Sequence, residues 1–243
     1  MMPISDINPT RRFPIMTYIL IGINFLVFFW ELTLGERGLE QAFMDLAVVP
    51  ANIARLGWFH PETLMDIVRS MFFHGGWAHI LGNMLYLWIF GDNIEDRFGS
   101  ILFLVTYFVS GFAAVFAQAL MDPTSTVPMV GASGAIAGIL GAYAVLFPNV
   151  RVRGLVALGR VSTLQEMPAL LVLGFWFVLQ LCSGIGSLTD TGAGGGVAFF
   201  AHIGGFIAGV IIALLLRTVV PQPPAAEREQ MVYNWRNRGT GTR

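Results

Sequence analysis

The sequence predicts an all-α, polytopic membrane protein folded as a bundle of six transmembrane helices. Three observations predict it. Of 243 residues, 55% are hydrophobic and 12% charged, with a mean hydropathy of +0.68, whereas a soluble domain carries about a quarter charged residues. Several apolar runs approach the roughly 20 residues that cross a bilayer core. Polar, Gly- and Pro-containing breaks divide those runs into six.

The first run, Ile15–Leu34, follows a polar segment, residues 1–14. That segment lacks the basic, apolar and small-residue order of a cleavable signal, so the run is expected to remain as a span. Next come Trp77–Phe90, Ile101–Leu120 and Ser133–Phe147, separated by Gly35–Gly76, Gly91–Ser100 and Met121–Ala132. The long first connection mixes Leu46, Val48, Ile53, Leu56, Trp58 and Phe59 with charges, a pattern suited to partial folding at the interface. A fifth run, Pro168–Leu188, follows the connection Pro148–Met167 and has proline where a first helical turn tolerates it. The sixth, Phe199–Val220, follows Thr189–Ala198 and stops at Pro221, Pro223 and Pro224. One six-span domain, residues 15–220, is thus flanked by residues 1–14 and by a polar tail, 221–243.

All fourteen basic residues are arginines. With the N-terminus inside, eleven fall on inner segments (Arg11, Arg12, Arg97, Arg151, Arg153, Arg160, Arg217, Arg228, Arg236, Arg238 and Arg243) and three outside (Arg37, Arg55 and Arg69). This bias predicts two cytoplasmic termini. A net charge of −1 gives no reason to expect a nucleic-acid partner. The single cysteine, Cys182, excludes an internal disulfide and a multi-cysteine metal site, and its apolar run suits a packed thiol.

In this orientation spans two, four and six all begin at the outer face, where the intramembrane polar residues collect. His79 and Asn83 lie in the first turns of span two, Ser133 opens span four, and His202 lies near the start of span six. Polar side chains inside a bilayer are costly and usually mark function. Span four, about 15 residues and so about 22 Å long, is shorter than the core it crosses, which recesses its outer end below the surface. Irregular backbone at that depth needs protein or trapped water beside it.

Gly131-Ala132-Ser133-Gly134 sets a serine at a helix start, where free amides and the positive end of the helix dipole can stabilise an oxyanion. Alone, such a serine also reads as an ordinary N-cap. Helical spacing adds weight. Ser133 shares a face with Ala137 and Gly141, and His202 with Gly205 and Gly209, so small residues let the two helices approach closely. Imidazole and hydroxyl could then meet as base and nucleophile. His79 and Asn83, four apart, share a face and can both donate, as an oxyanion hole or as a buried polar pair. His74 is expected to bond a backbone carbonyl, and His60 receives no role.

His79-Ile80-Leu81-Gly82-Asn83, the Gly-Ala-Ser-Gly opening of span four, and Ala201-His202-Ile203-Gly204-Gly205 with Gly209 resemble the signature of the rhomboid intramembrane proteases. Phe73-His74-Gly75-Gly76-Trp77 and Glu95-Asp96-Arg97-Phe98-Gly99 are similar to further motifs of that family. The likeness extends over residues 15–220 and implies a six-helix rhomboid-like bundle. It also implies a serine endopeptidase with Ser133 as nucleophile and His202 as its partner, a dyad without aspartate. His79, Asn83 and the Ser133 amide are implied as the oxyanion site, and Gly131, Gly134, Gly141, Gly205 and Gly209 are expected to pack the helices. The implied substrates are transmembrane proteins cut near the outer end of a helix that unwinds easily. No metal or organic cofactor is implied, and the expected setting is membrane lipid in a prokaryotic plasma (inner) membrane. Two positions depart from the pattern. Ala137 stands where some members have an aromatic that stacks on the histidine, and Met65-Asp66 where some carry a Trp-Arg pair.

A transporter could also have six spans and midmembrane polar groups, but would show internal repeats or interrupted helices in matching halves, and neither is present. A catalytically inactive relative that escorts membrane proteins would lack the serine or the histidine. Neither a His-Glu-x-x-His zinc motif nor an aspartate pair occurs inside the spans.

Overall fold

A computed structural model describes residues 2–158, 161–189, 198–221 and 225–238. The expected connection before span six, at residues 190–197, and the prolines at 223 and 224 lie outside them. The order is β1 (Met2–Asp6), α1 (Ile15–Glu31), α2 (Gly35–Leu46), α3 (Pro50–Leu56), α4 (Pro61–Ser70), α5 (Trp77–Phe98), α6 (Ser100–Met121), α7 (Ser133–Leu146), β2 (Arg151–Leu158), β3 (Val161–Pro168), α8 (Ala169–Thr189), α9 (Phe199–Leu216) and α10 (Ala225–Arg238).

The protein is mostly helical, with a helix at each of the six expected apolar runs. By length and apolar composition, two helices among the described residues, α6 and α9, are sufficient to cross a membrane, while α1, α7 and the first part of α8 are shorter apolar helices. The long first connection is itself helical. In α4, Pro61 occupies the first turn and His60 caps the helix, its Nδ1 accepting from the Glu62 amide at 3.3 Å, so the histidine left without a role is an N-cap.

At the centre is α7. All its residues except Ser133 and Val145 are buried, as expected of a helix with no polar face. Its small residues allow α6 and α9 to close on it. A Cβ added to Gly209 would overlap the Gly138 carbonyl, one on Gly205 the Gly134 carbonyl, and one on Gly141 the Phe206 carbonyl. On α6, Ser110 and Ala114 fill the space over Gly138 and Gly134. The seam therefore uses Gly138 in addition to Gly134, Gly141, Gly205 and Gly209. Gly131 precedes α7, and a Cβ added there would meet the His79 ring of α5.

The all-α expectation needs one correction. Residues 1–14 and the connection Pro148–Met167 contribute a three-stranded antiparallel sheet, β1–β2–β3, with Met2 opposite Leu155 and Arg151 opposite Pro168. The run from Arg151 alternates basic and apolar residues, a two-residue period that suits a strand with one face covered. Pro168 consequently ends β3, and α8 starts at Ala169.

The helix α5 continues eight residues beyond its expected end at Phe90, and neighbouring segments engage the polar side chains of that extension. Glu95 accepts from the Met16 and Thr17 amides at 2.9 and 2.8 Å, from Thr17 Oγ1 at 2.9 Å and from Ser100 Oγ at 2.6 Å. It thereby supplies the cap that Pro14 cannot give α1 and places a carboxylate at the positive end of the helix dipole. Asp96 pairs with Arg11 at 3.1 Å. Arg97 donates to the Val220 and Pro221 carbonyls just beyond α9.

The sheet is tied to this end by Asp6, whose carboxylate accepts from Asn93 Nδ2 at 3.0 Å and from the Tyr143 hydroxyl of α7. Burial pushes its pKa from 3.8 up to about 8, against the lowering effect of the Tyr143 bond and with a further rise from the Asp92 carboxylate. A folded-state pKa above the unfolded value gives stability that is complete below pH 3.8 and lost as pH rises through about 8. The thermal midpoint in detergent should therefore fall between about pH 5 and pH 9 more steeply in the wild type than in Asp6→Asn, which cannot ionise. Parallel pH curves for the two proteins would remove Asp6 as the cause.

Candidate active site

Ser133 is the first residue of α7. Before it, Ala132 is helical and Gly131 has φ +124, which a side-chain-bearing residue rarely adopts. This approach is fixed by backbone bonds to the first connection: the Met129 amide donates to the Val48 carbonyl and the Gly131 amide to the Ser70 carbonyl, both at 2.9 Å. Buried Ser70 also accepts from the Val48 amide through Oγ at 2.7 Å, so one residue links both segments that lead to Ser133.

His202 lies in the first turn of α9. Its Nε2 is 2.8 Å from Ser133 Oγ, within hydrogen-bond distance across a helix pair whose backbones touch through glycine. No side chain caps α9 from within its own segment. Gln118 of α6 does so instead, its Oε1 accepting from the Ala201 amide at 3.3 Å. Beside the His202 ring is Trp176 of α8, with ring centroids 5.9 Å apart and inclined at 41°. Ala137 leaves the imidazole without an aromatic on α7, and α8 provides one. Neither Gln118 nor Trp176 was singled out from sequence, because an amide and an aromatic in apolar runs look like ordinary packing until the partner helix is known.

His79 faces the same region. The Gly75 amide donates to its Nδ1 at 3.3 Å, so this nitrogen is the acceptor and the proton belongs on Nε2. A Cβ placed on Gly131 would come 2.7 Å from His79 Nε2 and 3.6 Å from Ser133 Oγ. The absent side chain therefore leaves a space bounded by a histidine donor and the serine hydroxyl. Asn83, one turn further along α5, is 8% exposed, and its Nδ2 has no hydrogen-bond partner among the described residues. A buried amide donor without a partner costs free energy unless a ligand or water engages it. His74 is fully buried, with Nδ1 3.2 Å from the Phe72 carbonyl, as expected for a structural histidine. Cys182, expected to be packed, is exposed.

A cavity of about 40 Å³ adjoins Ser133, bounded by Met71, Gly111, Ala114, Met129 and Ala198 among others, room for water but not for a peptide. A second small cavity, near Asn8, Arg11 and Asp96, is at the other end of the bundle. Among the described residues no group of three His, Cys, Asp or Glu side chains could hold a metal ion. The arrangement can transfer a proton from a serine hydroxyl to an imidazole while donors wait beside them.

Fold and site together define a helical protein with a half-buried serine–histidine pair where an apolar helix begins. Residues 61–219 match the rhomboid domain family model. The chain is 30% identical over 204 residues to the rhomboid protease GluP of Bacillus subtilis, covering 84% of this chain and 35% of that protein. It is 31% identical over 151 residues to the mitochondrial RHOMBOID-like protein 6 of Arabidopsis thaliana, with 62% and 43% covered. The mitochondrial rhomboid protein 1 of Saccharomyces cerevisiae is 30% identical over 142 residues, with 56% and 38% covered. The chain belongs to the rhomboid family and is an integral membrane protein. It spans less than half the length of these relatives.

Proposed function

We propose that this chain is an intramembrane serine endopeptidase that cuts transmembrane proteins by a Ser133–His202 dyad. The observation that carries this reading is the 2.8 Å approach of His202 Nε2 to Ser133 Oγ. In the reaction His202 accepts the hydroxyl proton as Ser133 Oγ adds to the scissile carbonyl. The resulting oxyanion takes hydrogen bonds from the Ser133 amide, His79 Nε2–H and Asn83 Nδ2. The imidazolium then protonates the leaving amine, and water, activated by the same imidazole, hydrolyses the acyl-enzyme. The unpartnered Asn83 amide and the space over Gly131 support the oxyanion assignment.

Six spans, two cytoplasmic termini and a prokaryotic plasma membrane complete the reading, supported by the arginine distribution and by a helix at each of the six apolar runs of the sequence. The site then opens toward the outer leaflet, where a substrate helix that unwinds offers its peptide bonds. A fluorophosphonate probe should label the purified protein on Ser133, identified by mass spectrometry of the modified peptide; labelling that persists in Ser133→Ala would defeat the assignment. Asn83→Ala should slow turnover of a single-span substrate by about 10²–10³, the cost of one oxyanion donor, and an unchanged rate would leave Asn83 a packing role.

A further inference from the structure

The turn that leads into α5 is held from an unexpected direction. Three residues near the end of α1 grip it: Phe28 meets Trp77 edge-on with centroids 4.9 Å apart, Trp30 stacks on Phe73 at 6.2 Å, and Glu31 accepts from the His74 amide at 3.0 Å. Of these only Glu31 makes a polar bond, and it is 2% exposed. A buried carboxyl is expensive to keep, and its second oxygen has no partner among the described residues. Aromatic contacts alone would suffice to pack α1 on the turn. A directional acceptor adds control of one backbone amide.

That amide is one residue from Gly75, whose own N–H engages His79 Nδ1. The two histidine rings meet edge-on, 5.1 Å between centroids, so a shift of the His74 backbone moves both the donor that sets the His79 tautomer and a ring against which His79 rests. If Nδ1 loses its donor, the imidazole can carry its proton on either nitrogen, and in one of the two forms Nε2 has no hydrogen to offer.

We propose that Glu31 is a positioning residue for turnover. By fixing the His74 amide it holds the Gly75–His79 bond and keeps a proton on His79 Nε2, beside Ser133. The inference rests on the protease reading above and adds a residue that touches neither substrate nor dyad.

The test is a double-mutant cycle on cleavage of a single-span substrate by the purified full chain. Glu31→Met should lower kcat about tenfold with KM little changed, but less than twofold in a His79→Ala background, because the residue acts through that ring. Glu31→Gln, which keeps the acceptor, should stay within about twofold of wild type. Equal losses in both backgrounds would reduce Glu31 to a packing role. In the wild type alone, ¹⁵N NMR of the His79 ring should show Nε2 protonated and Nδ1 bare, and the opposite tautomer would overturn the inference even if no variant folds. Cleavage that survives Ser133→Ala would instead remove the protease reading itself, so the two failures are distinct.

Discussion

Ser133→Ala and His202→Ala should each abolish cleavage of a single-span substrate, and the double variant should be no worse than either alone. Nucleophile and base act as a unit: without the imidazole the hydroxyl keeps its proton, and without the hydroxyl the imidazole has nothing to activate. In serine hydrolases such losses approach about 10⁶ in kcat and are grossly non-additive. Neither change should unfold the protein. Ser133 caps nothing with its side chain, and α9 is anchored by Gln118 and by its glycine seam. Gel filtration and thermal melting in detergent check the fold, and substrate cleavage checks the chemistry. Wild-type rates in Ser133→Ala would end the mechanism, and additive losses would mean that the 2.8 Å contact is not used.

Gly209→Val should reduce turnover by about 10² without touching either dyad residue. The added Cβ overlaps the Gly138 carbonyl, a backbone atom that cannot swing aside as a side chain could. The two helices must separate or slide, and overpacking of this kind costs about 1–3 kcal/mol. Catalysis suffers more than stability, because a misplacement of about 1 Å between reacting groups can cost about 10² in rate. A valine at Gly22 supplies the control, since a Cβ there meets nothing within 4 Å. If Gly209→Val retained full activity while melting normally, the seam would not be what sets the dyad distance.

Much of the helical scaffold was legible because apolar run length is a strong signal, and the helix starts at Ile15, Trp77, Ser133 and Phe199 agree with it. The meeting of residues 133 and 202 was also legible, since matched small residues at helical spacing state which faces can touch. The rest depended on partners distant in sequence. Nothing local marks Glu95 as a cap for α1 or Asp6 as an acceptor for Tyr143. The strands were missed because their period-two runs are short and β1 is completed only by pairing with β2, about 150 residues away. The positive φ of Gly131 and its contact with the His79 ring are conformational facts that no local pattern announces. Glu31, in the last turn of an apolar helix, resembles a polar terminus until His74 is found against it.

The Glu95-Asp96-Arg97 run joins the start of α1, the segment before it and the chain after α9 to one end of α5. A bundle laced at its foot resists splaying there, and the cavity by the serine is too small for an incoming peptide. On the proteolytic reading proposed above, a substrate would enter by parting the helices at the rim beside Ser133, in the manner of tongs with a fixed pivot at the laced foot.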